Sequence, residues 1–393
     1  MLYVTTKNLK RVFKTAAMAK QPRDLSVDMI KGFGCLMMII AHLPAFQLTV
    51  SYGLATQLAG PGTVFFFGTA GITAAMQAQR YPIQSLLPYF GVLFFLGSSW
   101  NILVHGNLTS FKYVEIFQII TLGSALICWL ERKGPSSQTT LLLLTSVLGG
   151  LKFIMDIVAP EFDGLGWLFV SNDYIPHYEE ASGGKRSFPG FPIFPWLSIF
   201  PLGLFCYRAS KQTNAIGMAA MLTIYCVTSY FFGANPTEKW DTSIPYLAHC
   251  YLYLFLAFWL FDGGRTETNK IGNAFAFTGK NSLIFFFFHP FALVLGVIVL
   301  SLSNVYVAWA FSAIMAYIIT RGAAKLKPSP LFASGWSWLI LGIILFSMPI
   351  MDEIIDTALT HGISRLVAAI IGAIIAVNTP LLAELTKKSV GRS

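Results

Sequence analysis

The stretch Ser26–Phe46, SVDMIKGFGCLMMIIAHLPAF, decides how the chain is read. It has the length of a membrane span, since about 20 helical residues cross the hydrocarbon core of a bilayer. Three ionisable residues interrupt it, Asp28 and Lys31 near its start and His42 far along. At about 100° per residue, Lys31 and His42 point nearly the same way, with Cys35 and Met38 between them on one stripe. Asp28 lies one turn below Lys31. Ionisable side chains inside a span are costly and face a cavity, a partner or a pathway. A milder account stays open on these residues alone: Lys31 reaches the interface along its aliphatic stem, and His42 bonds a neighbouring helix.

Outward from this stretch, apolar runs of similar length recur to the end of the chain. The 393 residues are 55% hydrophobic and 11% charged, against about 25% charged in soluble domains. The expected fold is all-α, a polytopic integral membrane protein with about 12 spans. They fall at 27–48, 60–79, 82–103, 111–130, 139–158, 194–210, 215–233, 244–261, 281–301, 304–320, 333–351 and 362–382. Residues 1–26 form a basic N-terminal segment, 27–382 a single transmembrane domain, and 383–393 a tail. The first run shows no small-x-small cleavage site and is read as a retained helix.

Basic residues set the orientation. With the N-terminus in the cytoplasm, 21 of the 27 Lys and Arg residues fall in cytoplasmic segments, as the positive-inside rule requires. Both termini are expected inside. The net charge of +9 then reflects basic loops, and no nucleic-acid partner is needed. The five cysteines all lie in apolar segments without metal-like spacing, so free buried thiols and no metal are expected.

The longest polar break, 159–193, falls outside the membrane in this topology. It sets Trp167, Tyr174 and His177 among carboxylates, a mixture that suits a sugar, although aromatic side chains also gather at membrane interfaces. Two more polar spots lie within spans. Glu115 and Gln118, three residues apart, are placed to join a polar cavity, and Lys152 and Asp156 to form an ion pair. In GKNSLIFFFFHPFAL, His289 directly precedes Pro290, which frees the carbonyl of Phe286 and invites a kink. His249 reads as structural. Pro189, Pro192 and Pro195 favour an extended entry to Trp196 and the span behind it.

Four of these motifs resemble, in order, the membrane acyltransferases of the type-3 class, relatives of the heparan-α-glucosaminide N-acetyltransferases. Asp28-Met29-Ile30-Lys31-Gly32 with His42 is similar to that family's Asp-x-x-Arg-Gly and its histidine at fixed spacing, with Lys for Arg. Phe65-Phe66-Phe67-Gly68-Thr69-Ala70-Gly71 resembles its Phe-rich second helix. Phe191-Pro192-Ile193-Phe194-Pro195-Trp196-Leu197 resembles its Phe-Pro-x-x-Pro-Trp-Leu entry. Gly279-Lys280-Asn281-Ser282-Leu283 with His289-Pro290 resembles its late helix. The family's Arg-x-x-Arg pair is reduced here to Gln77-Ala78-Gln79-Arg80.

The resemblance implies an enzyme, with an acyl-CoA donor, acetyl-CoA foremost, and a glycan or lipid-linked sugar as acceptor. It implies catalytic roles for His42 and His289, with Asp28 holding or orienting Lys31. Lys31, Arg80, Asn281 and Ser282 are expected on the donor side. Asn281, Ser282 or Gln118 would supply the oxyanion donor, and Gln118, Trp167, Tyr174, His177 and Trp196 are expected on the acceptor side. The expected setting is a bacterial inner membrane, in contact with lipid and open to homo-oligomers. The competing class is a secondary transporter or flippase, against which the chain shows no repeat-related halves and no paired interrupted helices.

Overall fold

The computed structural model describes residues 23–43, 60–105, 114–158, 191, 193–232, 243–261, 267–355 and 358–390. In chain order its helices are α1 (Leu25–His42), α2 (Gly60–Arg80), α3 (Ile83–His105), α4 (Ile116–Glu131), α5 (Gln138–Val158) and, after a short turn at Ile193–Trp196, α6 (Ile199–Arg208). Then come α7 (Lys211–Phe232), α8 (Ile244–Leu260), α9 (Lys270–Lys280), α10 (Ser282–Leu293), α11 (Val305–Ala323), α12 (Gly335–Ile355) and α13 (Ala358–Val390). Every regular element among the described residues is helical, as lipid demands of a chain that must satisfy its own backbone. Five stretches are long and apolar enough to cross a membrane: Leu25–His42, Ile83–Asn101, Lys211–Phe231, Ser282–Val299 and Val305–Ala323. They mark a membrane protein, and shorter apolar helices accompany them.

Helix starts follow capping chemistry. Asp24 accepts from Ser26 N at 2.9 Å at the head of α1. Asn304 accepts from the Tyr306 and Val307 amides at the head of α11, satisfying donors that have no partner within the helix.

One large core joins α1, α2, α4, α6, α8, α10 and α11. A smaller one joins α3, α12 and α13 through Leu96, Trp338, Leu341, Ile371 and Ile375. Glycines in the quoted motifs are crossing points. A Cβ on Gly32 would run into the Phe275 carbonyl oxygen, and one on Gly279 into the Asp28 carbonyl oxygen. Thus α1 and α9 touch backbone to backbone. Gly68 of α2 and Gly203 of α6 meet in the same way, the close approach that small residues allow between membrane helices.

Polar bonds tie four helix ends together. Tyr207 of α6 donates to Asp24 at 2.9 Å, Arg208 pairs with Glu131 at the end of α4, and Gln138 of α5 donates to the Arg208 carbonyl at 3.0 Å. The start of α1 and the ends of α4 and α6 therefore share one end of the bundle, called the basic end below.

The span expected at 281–301 is found at Ser282–Val299; it is α10 continued by a π-helical segment, Val294–Val299, and a separate helix, α9, precedes it. Two expectations need correction. Cys226 is exposed on α7, and the other four cysteines are free and buried. Glu115 and Gln118 are not among the residues lining the cavity between α1, α2, α3, α4, α10 and α13. They form a reciprocal capping box at the start of α4, with Gln118 Oε1 accepting from Glu115 N at 3.0 Å. The loop residues Trp167, Tyr174 and His177, and the side chain of Asp156, lie outside the described residues.

Candidate functional site

His42 ends α1 and His289 lies within α10, 247 residues further on. The fold brings them together. Nε2 of His289 lies 3.1 Å from Nδ1 of His42, and the ring centroids are 4.9 Å apart. His289 is buried at 3% exposure, its ring stacked on Phe285. Its Nδ1 lies 2.6 Å from the Phe286 carbonyl oxygen. That carbonyl faces the gap left by Pro290, which has no N–H to offer one turn on. The position of α1 here is fixed from α11, where Trp309 Nε1 donates to the Leu36 carbonyl at 3.1 Å.

Beside the pair runs a cavity of about 250 Å³ enclosed by α1, α2, α3, α4, α10 and α13. Its walls are single helical stripes. Phe66, Ala70, Thr73, Ala74 and Gln77 line it from α2, and Phe117, Ile120, Thr121 and Ser124 from α4. On α3 the lining runs from Tyr89 to Trp100, eleven residues or about 16 Å of helix. The basic end holds Lys31 and Ser282. The far end is aromatic: Trp100 packs edge-on against Phe287 at 4.8 Å, and Phe117 against Phe286 at 5.0 Å. Phe286 joins the two features. Its ring lines the cavity, and it lies 5.8 Å from the His289 ring.

Lys31 is the one cation among the lining residues. Asp28 makes no hydrogen bond to it. Arg23 grips that carboxylate through Nε and, at 2.8 Å, through Nη2, and this hydrogen bond raises the Arg23 guanidinium above its already high ordinary value. Arg23 takes the hydrogen bonds of the Asp28 carboxylate, which still acts on Lys31 electrostatically. Among the described residues Lys31 makes no hydrogen bond or ion pair. The physical reason is geometric: Asp28 faces the head of its own helix while Lys31 turns into the cavity. Asp28 is also fourteen residues from His42, about 21 Å along α1, too far to touch the same reacting atom.

The remaining residues divide clearly. Ser282 lines the cavity, whereas Asn281 ends α9 and donates to the Phe277 carbonyl at 2.8 Å. Arg80 is exposed at the end of α2 and is not part of the lining. The Gln118 amide nitrogen donates to Ser98 at 3.2 Å, joining α4 to α3. Trp196 is packed among Phe67, Phe191 and Tyr246, in the core and away from the cavity. His249 sits between the rings of Tyr225 and Tyr253.

Sequence reasoning missed Thr73, Thr121, Ser124 and Trp100. Their signal was present: Thr73 and Gln77 are spaced i,i+4 in an apolar span, and Thr121 and Ser124 i,i+3, so each pair shares a face. Compared with known proteins, the chain matches no family model, no curated protein and no solved structure.

Proposed function

We propose that the protein is a membrane acyltransferase. It moves an acyl group, acetyl foremost, from cytosolic acyl-CoA to a hydroxyl or amine of an extracytoplasmic glycan or lipid-linked sugar. The observation that carries this reading is the pairing of His42 with His289 beside a cavity whose other end holds Lys31, which makes no hydrogen bond or salt bridge among the described residues. Lys31 and His42 are eleven residues apart, about 16 Å along α1. An anionic donor with a long flexible arm fits that span: its phosphates lie near Lys31, and its thioester points towards the histidines. Twelve spans, cytoplasmic termini and a bacterial inner membrane belong to the same proposal, with the basic end facing the cytosol.

The chemistry balances on His42. Its ring nitrogen takes the proton from the acceptor hydroxyl as the oxygen attacks the thioester carbonyl. A tetrahedral oxyanion forms beside His42 and needs a hydrogen-bond donor there. The C–S bond then breaks, and the departing thiolate takes the proton back from His42. Acyl ester and CoA-SH are the products. A transient acyl-histidine uses the same nitrogen.

The test is CoA-SH release from acetyl-CoA by purified protein in liposomes, with water as default acceptor. His42→Ala should lower the rate by about 10²–10⁴-fold, the usual contribution of a general base, at an unchanged melting temperature. Release by His42→Ala at the wild-type rate, or vesicle uptake of intact acetyl-CoA without cleavage, would overturn the proposal, the latter in favour of a transporter.

A further inference from the structure

We infer that His289 is a positioning residue that fixes the tautomer of His42, and that Pro290 is what makes the arrangement possible. This rests on the reading of His42 as the proton-accepting group and adds how that group is prepared.

The inference runs from one backbone atom outward. In a regular helix the Phe286 carbonyl accepts the N–H of residue 290, but Pro290 has none. The side chain of His289 takes that place, with Nδ1 at 2.6 Å from the carbonyl oxygen. A carbonyl can only accept, so Nδ1 of His289 carries the proton. In a neutral imidazole one nitrogen donates and the other accepts. Nε2 of His289 is therefore an acceptor, and it faces Nδ1 of His42 at 3.1 Å. His42 Nδ1 must then hold the hydrogen of that bond. The lone pair of neutral His42 is left on Nε2.

The chain Phe286 carbonyl, His289, His42 thus has a single direction. A free histidine side chain favours the opposite tautomer, with the proton on Nε2 and the wrong nitrogen basic. The relay reverses that preference without any buried carboxylate. When His42 Nε2 accepts a proton, the Nδ1–H bond to His289 becomes charge-assisted and stabilises the new cation. The second ring nitrogen of a working histidine is commonly set in this way by what it bonds.

The experiment reads the tautomer directly. Protein labelled with ¹⁵N-histidine is reconstituted in lipid bilayers, and ring-nitrogen shifts are recorded at a pH where His42 is neutral. The His42 signals are those lost in His42→Asn. We expect wild type to show a protonated Nδ1 and a bare Nε2. His289→Gln keeps an acceptor oxygen near the position of Nε2 and should preserve that pattern. His289→Leu removes the acceptor and should move the proton to His42 Nε2, with acetyl-CoA cleavage falling about a hundredfold. A protonated Nε2 in wild type, or an unchanged His42 pattern in His289→Leu, overturns the inference. The wild-type spectrum decides the matter even if the leucine variant fails to fold. Because the shifts need no substrate, the expected tautomer without acetyl-CoA cleavage would reject the acyltransferase reading and leave the relay standing.

Discussion

Two basic side chains near the basic end of the bundle are treated in opposite ways. Arg208 donates to both oxygens of Glu131, at 3.0 and 2.6 Å, and to the Ser136 carbonyl at 3.3 Å. Glu131, whose side chain is fully buried, also accepts from Ser136 N at 2.9 Å. Both carboxylate oxygens of Glu131 are met within the protein, so the cluster joins α4 to α6. Lys31 enters a cavity instead, and the nearby carboxylate that could neutralise it is held by Arg23. Removing charge from water is costly unless a partner compensates. A satisfied pair therefore marks architecture, and a cation left facing a cavity marks a place for an anion.

The comparison can be broken first on its architectural side. Glu131→Gln leaves Arg208 without its carboxylate and should cost about 3 kcal/mol, the low end for breaking a buried pair. A clear fall in melting temperature is expected, with acetyl-CoA cleavage per folded molecule unchanged. A variant that melts like wild type would show that the cluster does not hold the helix ends together.

A smaller effect sharpens the same contrast among the histidines. His289 bonds a second imidazole and a carbonyl, while His249 is packed between two tyrosine rings. His249→Phe keeps size and aromatic packing and should cost no more than about 1.5 kcal/mol. Acetyl-CoA cleavage should stay at the wild-type rate. A large loss of activity at constant stability would place a second functional centre in α8.

Much of this was legible in the chain. The phase of Lys31 and His42 on one helix follows from periodicity alone, and Pro290 announced a carbonyl at Phe286 with no backbone partner. The glycines of the quoted motifs could be seen, but not their use. Gly32 and Gly279 bring α1 against α9, and that contact depends on two segments about 250 residues apart in sequence. Asp28 shows the limit best. One turn from Lys31 it looked like that residue's partner, yet side-chain direction at the helix head favoured Arg23, five residues upstream. The meeting of His42 with His289 was likewise beyond any local pattern, because it needs the packing of α1, α10 and α11 together.

The most direct test of the account is calorimetric titration of acetyl-CoA into the reconstituted protein and two variants of Lys31. Wild type should bind, and Lys31→Arg should bind about as well, since the cation is retained. Lys31→Met removes a charge-assisted contact of roughly 1.5–3 kcal/mol and should weaken affinity by about ten- to a hundredfold. Little fall in melting temperature is expected, because Lys31 makes no hydrogen bond or salt bridge among the described residues. Equal affinity in Lys31→Met and wild type, or no binding by wild type, would contradict the assignment of the cavity to an acyl-CoA donor.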